Sequence, residues 1–239
     1  MRFMVMHKVD ATMEAGGPPN QDIIASMGAL VQESLRGGVF TTGAGLHRSA
    51  RRARIESSSS SVTHGPYTGK NELVESIAMI KASSLEEAIE RARQLSRVLG
   101  DREVEVGPVV EPWDIGVAPK PKVELPGKFL LLCKGNPATE SGAEPSGERR
   151  AALAKLLQAL KDEGVLLLAD SLLPSARGAR LAFDKSGKRS WTDGPFTESK
   201  ELIAGFSVLN VPRLAEAIAW ADRYAAILTK NEVDVREMP

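Results

Sequence analysis

The sequence repeats itself once over a long period, and this constrains the fold more than any other feature. Residues 41–55, TTGAGLHRSARRARI, answer residues 167–181, LLADSLLPSARGARL. Within them Ser49-Ala50-Arg51 and Ala53-Arg54 match Ser175-Ala176-Arg177 and Ala179-Arg180, an offset of 126. Further on, His64-Gly65-Pro66-Tyr67-Thr68 with Glu72-Leu73 matches Asp193-Gly194-Pro195-Phe196-Thr197 with Glu201-Leu202, an offset of 129. The second copy therefore carries three extra residues between its blocks. Solenoid repeats have periods of about 20–50 residues, so each copy here should be a small domain of its own. The expected boundaries are 1–112 and 128–239, joined by a Pro- and Lys-rich linker over 113–127.

Bulk properties narrow the function classes. The 239 residues carry 31 basic and 31 acidic side chains, a balance that argues against nucleic-acid or anionic-membrane binding, which needs a basic excess. A single cysteine, Cys133, excludes an intrachain disulfide and fits a reducing compartment. The N-terminal residues enter an apolar strand and do not read as a signal peptide. No apolar run approaches the ~20 residues of a membrane span. These features predict a soluble, cytoplasmic protein.

The same order of elements is legible in both copies. Copy one reads as a strand at Phe3–Met6, a helix with Ile23, Ile24, Met27, Leu30, Val31 and Leu35 on one side, and a strand over Val39–Leu46. A polar excursion over 51–63, tipped by serines 57–61, leads to a strand over Leu73–Ile80. A helix capped by Ser84 and Glu87 follows, then a strand over Val104–Val110. Copy two runs from a strand at Phe129–Cys133 through a helix bearing Leu153, Leu156, Leu157 and Leu160 to a strand at Val165–Ala169. It continues with a hairpin around Asp184-Lys185-Ser186-Gly187, a strand over Leu202–Val211, a helix begun by Pro212 and a strand at Val233–Val235. The class is α+β: two ferredoxin-like βαββαβ units, each with an added hairpin. Their helices cover one face, and apolar strands such as Phe129-Leu130-Leu131-Leu132 need cover on the other. The two sheets are thus expected to pack face to face as an intrachain pseudo-dimer.

Candidate chemistry gathers where strand two ends and strand three begins. His47 and His64 should be neighbours at this corner of copy one, where copy two has Leu173 and Asp193. A His–Asp pair there would form an acid/base unit, the carboxylate fixing the imidazole tautomer. Two histidines could instead hold a metal, although a zinc site takes three or four ligands. His7 ends strand one, read as parallel to strand three, and so should lie at the edge opposite His64, as a structural group. Arg48, Arg51, Arg52 and Arg54, with Arg177 and Arg180 in copy two, are either a solvated strand and loop or anion ligands. Arg54 and Arg180, present in both copies, are the candidates for binding a carboxylate or phosphate. The Asp-Gly-Pro of 193–195 also reads as a simple turn. Gly43-Ala44-Gly45 lacks the helix start of a nucleotide fingerprint, and no cofactor motif occurs. Cys133 reads as an inert core thiol, and Trp113 and Trp220 as packing groups.

Asp193-Gly194-Pro195-Phe196-Thr197-Glu198-Ser199-Lys200-Glu201 resembles the signature of the DGPF group of YCII-related proteins, and Gly45-Leu46-His47 with Ser49 resembles that group's strand-two ending. The resemblance runs through both halves. It implies a tandem duplication whose two ferredoxin-like units form a dimeric α+β barrel within one chain, with further homodimerisation open. It also implies a bacterial source and a genomic link to extracytoplasmic-function sigma factors. Most such proteins have no assigned activity; some act as lyases or dehydrochlorinases using a His and an Asp in a cleft. Here that pair is divided: copy one keeps His47 but has His64 for the aspartate, while copy two keeps Asp193 but has Leu173 for the histidine. Three readings follow. The chain binds a small, anionic organic ligand near this corner without catalysis; or His47 acts with His64; or His47 and Asp193 form a composite site across the pseudo-dimer.

Overall fold

The computed structural model describes every residue except Asp10, Pro19, Ser57, Ser60, Asp101, Lys185, Thr197, Glu198, Lys200, Thr229 and Lys230. The first half supplies β1 (Arg2–Lys8), α1 (Ala11–Ala15), α2 (Gln21–Arg36), β2 (Phe40–Gly45), β3 (Ala53–Ile55), β4 (Val62–His64), β5 (Val74–Ala82), α3 (Leu85–Leu99) and β6 (Val104–Pro108). The second supplies β7 (Gly127–Lys134), α4 (Pro137–Glu140), α5 (Gly147–Asp162), β8 (Leu166–Ser171), β9 (Gly178–Phe183), β10 (Arg189–Asp193), β11 (Ile203–Asn210), α6 (Leu214–Leu228) and β12 (Val233–Met238).

Local chemistry sets most of these bounds. The Ser84 hydroxyl accepts the Glu87 amide at the start of α3, and the Glu87 carboxylate accepts the Ser83 amide at 2.8 Å, one residue earlier than a strict capping box. Ala88, Ile89, Ala92 and Leu95 then form the buried stripe, and Gly100 ends the helix at φ +84°. Pro212 lies two residues ahead of α6 rather than in its first turn. The polar excursion is a hairpin, β3 and β4, that buries Ala53 and Ile55. Two of its tip serines, Ser57 and Ser60, lie outside the described residues, as does Lys185 in the second hairpin. There the Asp184 carboxylate accepts the Ser186 and Lys188 amides.

The two sheets are antiparallel and six-stranded, in the orders β10-β9-β12-β1-β11-β2 and β4-β3-β6-β7-β5-β8. Neither belongs to one half of the chain. The first takes β1 and β2 from the first half and β9–β12 from the second; the other takes β3–β6 from the first and β7 and β8 from the second. The expectation that each copy forms its own sheet is corrected to a reciprocal exchange of strand pairs. Strand one also runs antiparallel to the third-type strand beside it: β1 pairs β11 with Val5 opposite Ser207. The parallel reading is therefore corrected, and His7 and His64 lie in different sheets.

The sheets face each other across a core of Met4, Met6, Phe206 and Val208 from one and Ile77, Leu130 and Leu132 from the other. Helices α2 and α6 cover the outer face of the first sheet, burying Leu30, Trp220 and Tyr224, while α3 and α5 cover the second. Expected as a barrel, the pair stays as two separate sheets stitched at their corners. Leu46 bridges Val109, and the Val110 amide donates to the Gly45 carbonyl at 2.8 Å. At the related corner the Leu173 amide donates to Glu237 at 2.9 Å. Among the described residues no helix is long and apolar enough to cross a membrane.

Candidate functional site

The repeated sequence blocks meet at the two corners, where they do structural work. The Ser49 hydroxyl accepts the Tyr67 amide at 3.2 Å, and the Ser175 hydroxyl accepts the Phe196 amide at 2.9 Å. A Cβ on Gly65 would overlap the Ser49 carbonyl, and one on Gly194 the Ser175 carbonyl. The glycines of His-Gly-Pro and Asp-Gly-Pro thus let one backbone segment lie directly on another. The Ser49 amide and hydroxyl both donate to Glu14, and the Ser175 amide donates to Glu140.

Behind each corner lies a buried ionic cluster, and Arg54 and Arg180 belong to these. The Arg54 guanidinium donates to Glu72 at 2.6 Å and Glu105 at 3.3 Å and stacks 4.1 Å over the Tyr67 ring. Lys134 reaches Glu72 and, at 3.1 Å, Glu105. Arg52 donates to Glu105 at 2.9 Å. Burial alone would raise Glu105, but Lys134, Arg52 and Arg54 outweigh it and hold its pKa down at about 2. In the second half Arg180 grips Asp234 through two bonds of 2.6 and 2.9 Å and stacks 4.3 Å over Phe196, while Lys8 reaches Asp234 at 3.0 Å. Arg52 and Arg54, read from sequence as either solvated or anion-binding, are 1% and 3% exposed.

His47 follows β2 at the seam between the sheets, its amide donating to the Pro108 carbonyl. Its Nε2 lies 3.1 Å from Asp114 Oδ2, and Arg51 approaches Nδ1 at 3.0 Å. Asp114 comes from the linker and also accepts the Glu111 amide at 2.9 Å. Desolvation, then Arg51, lowers the His47 pKa, while Asp114 pulls the other way. The hydrogen bonds described for His47 thus join it to Asp114 and Arg51 rather than to His64. His64 is exposed at the end of β4, opposite Ala53. Asp193 is exposed at the end of β10. β2 and β10 are the two edges of one sheet, so five strand spacings of ~4.8 Å, about 24 Å in all, separate the strand that His47 follows from the one that Asp193 ends. His7 is buried, its Nδ1 2.8 Å from the Tyr224 hydroxyl. Among the described residues no three or more His, Cys, Asp or Glu side chains are grouped to hold a metal.

A cleft of about 600 Å³ opens beside the first corner, over β3 and β4. Arg54, Pro66, Tyr67 and Thr68 line it together with Glu103, and Glu14, Glu56 and Lys70 stand at its wall. Burial raises the Glu103 pKa despite Arg54 and Lys134 nearby. Glu103, Tyr67 and Asp114 were not singled out in the sequence. Asp114 carried a faint signal as the acid of a Pro-Trp-Asp turn at the start of the Pro- and Lys-rich linker. Glu103 carried none, since one glutamate before a strand resembles any other.

Residues 128–238, in the second half, match the family model of the YCII-related domain. No curated protein and no solved structure matches the chain. The matched segment is a continuous stretch of sequence, yet its strands are shared between the two sheets, β7 and β8 in one and β9–β12 in the other.

Proposed function

We propose that the protein is a non-catalytic binding module that takes a small organic molecule in the cleft beside Arg54. The observation carrying this reading is the cleft itself, which opens over β3 and β4 and has Pro66 and Tyr67 in its wall. His47 is not among the residues lining it, and its ring is engaged by Asp114 and Arg51. We read the whole chain as two YCII-related units of the DGPF type, ferredoxin-like in strand order, with barrel-like corners and the first unit diverged. In that reading it is a bacterial, cytoplasmic protein. Thr63 lines the cleft from exposed β4, so Thr63→Trp should plug it without disturbing the core. Fragments that bind the natural chain by ligand-observed NMR should lose binding to the plugged variant. Undiminished binding by a folded Thr63→Trp protein would reject the cleft as the site.

A second reading rests on the 3.1 Å contact between His47 and Asp114. Here the imidazole, its pKa lowered, is a neutral base at pH 7, with Asp114 in the orienting role expected of His64 or Asp193. It requires that some screened substrate be turned over and that both His47→Ala and Asp114→Asn slow the reaction.

A further inference from the structure

The arginine that marked this corner as an anion site is internally neutralised, and the charge left facing the cleft has the opposite sign. Arg54 is committed to Glu72 and Glu105, with its Nε also 3.6 Å from Glu103. Lys70 leans toward Glu56 at 3.7 Å. Taken together, the wall and the cluster behind it hold five carboxylates, Glu14, Glu56, Glu72, Glu103 and Glu105, against four cations, Arg52, Arg54, Lys70 and Lys134. The second half shows what neutralisation looks like: Glu140, the counterpart of Glu14, meets Arg236 at 3.1 Å. In the first half the position of Arg236 is Gly107, and the side chain packed over that glycine is Arg52, which turns to Glu105 instead. The second half also has Ala182 where the first has Glu56.

Resting on the cleft proposed above as a binding site, we propose that its ligand is a small organic cation, an ammonium carried on a flat apolar body. Glu103 anchors the ammonium from within the cleft, Glu56 and Glu14 supply the surrounding negative field, and Pro66 and Tyr67 pack against the body. Glu103 is the fitting anchor because it is half-buried beside an open space. Burial makes its charge costly, and an ammonium that fills the space relieves that cost. The charged groups facing it are Arg54, Lys134 and Lys70, which favour its ionised form, and Glu72, which opposes it. A cation bound there should lower the raised Glu103 pKa, so its affinity should strengthen as pH rises through the Glu103 range and fade below it.

A matched pair of probes tests this. Benzylamine and benzoate share a ring and differ in charge; each is titrated into the natural chain, Glu103→Gln and Glu56→Gln, with folding checked by circular dichroism. Benzylamine is expected to bind the natural chain at least tenfold more tightly than benzoate. Glu103→Gln should remove most of that preference and the pH dependence, and Glu56→Gln should weaken it by a few-fold. Equal binding of the two probes, tighter binding of benzoate, no binding of either, or a Glu103→Gln protein that keeps the full preference each overturns the cation assignment. The first two of those outcomes leave the cleft standing as a binding site if Thr63→Trp abolishes the binding. If Glu103→Gln does not fold, Glu103→Asp, which keeps the charge but withdraws it by one methylene, should bind benzylamine more weakly; unchanged binding overturns the assignment.

Discussion

Glu105→Gln probes how much of the fold depends on the buried ionic cluster. Glu105 is 1% exposed and takes hydrogen bonds from Arg52, Arg54 and Lys134. The amide keeps the shape and removes the charge, leaving Arg54 and Lys134 on Glu72 and taking the carboxylate away from Arg52. The pKa of about 2, against an ordinary value of 4.5, corresponds to roughly 3 kcal/mol of native-state stabilisation at ~1.4 kcal/mol per pKa unit. Because the folded-state pKa is depressed, that stability is present above the unfolded value near 4.5 and is lost as pH falls toward 2. At pH 7 the variant should therefore be about 3 kcal/mol less stable, in line with the ~3–5 kcal/mol cost of breaking a buried pair from one side. Urea titrations followed by circular dichroism at pH 7 and in steps below pH 5 measure both effects. The gap between natural chain and variant should be full at pH 7 and close as the pH approaches 2. A loss under 1 kcal/mol at pH 7, or a gap that stays constant below pH 4.5, would refute the claim that the cations hold Glu105 ionised.

Gly65→Ala and Gly194→Ala should each cost at least about 2 kcal/mol, because the added Cβ meets backbone atoms of Ser49 or Ser175 that no rotamer change can move; thermal denaturation measures this. Gly28→Ala is the control. It lies in α2 with nothing within 4 Å of the new Cβ, and should gain about 0.5–1 kcal/mol from helix propensity. Asp114→Asn should lower the His47 pKa further, since Asp114 is the group opposing desolvation and Arg51. A proton NMR titration of the His47 ring that shows no change, or a rise, would contradict the assigned contact. Cys133, 1% exposed with burial pushing its thiol up to about 12, should react with alkylating reagents only on unfolding, so alkylation in native buffer as fast as in denaturant would count against its placement.

The fold was legible where one element decides its own state. The stripe of Ala88, Ile89, Ala92 and Leu95, the Ser84 cap and the apolar run from Phe129 to Cys133 each contain their outcome, because a helix period or a continuous buried strand is a local pattern. The paired sheet faces followed from the same reasoning, as strands apolar on both sides need cover on both. His47 was legible as the residue that ends strand two, but its side-chain partners were not. His47 was placed at its corner by topology, but its carboxylate comes from Asp114, 67 residues further along the chain, and nothing in a linker's composition says which of its acids will fold back. The arginines failed differently. Arg52 and Arg54 sit in a polar stretch that looks solvated, and only the cross-strand partner Glu105 and the incoming Lys134 show why they can be buried.

The exchange of strands was illegible for a deeper reason. Sheet order around each core, last strand, first strand, third strand, second strand, is the same whether the first two strands come from one copy or the other. Hydrophobic pattern, strand length and helix cover are therefore satisfied equally by both arrangements. The two arrangements differ in the short segments after β2 and β8, where the backbone leaves one sheet for the other. At those segments Arg52 binds the His47 carbonyl and Arg236 the Leu173 carbonyl. The two arginines occupy different sequence positions, one ahead of β3 and one in β12, each packed over a glycine on the neighbouring strand, Gly107 and Gly178. An alignment of the halves therefore sees an arginine lost and a glycine gained in each, whereas the folded chain sees one guanidinium kept at each crossing. The crossings are held by equivalent groups, while the cleft beside the first carries Glu56 where the second half has Ala182, and Glu14 takes the Ser49 amide where Glu140 takes both the Ser175 amide and Arg236. The contacts at the two crossings are thus matched in the two halves, whereas at the cleft beside the first Glu56 and Lys70 stand where the second half has Ala182 and Ser199.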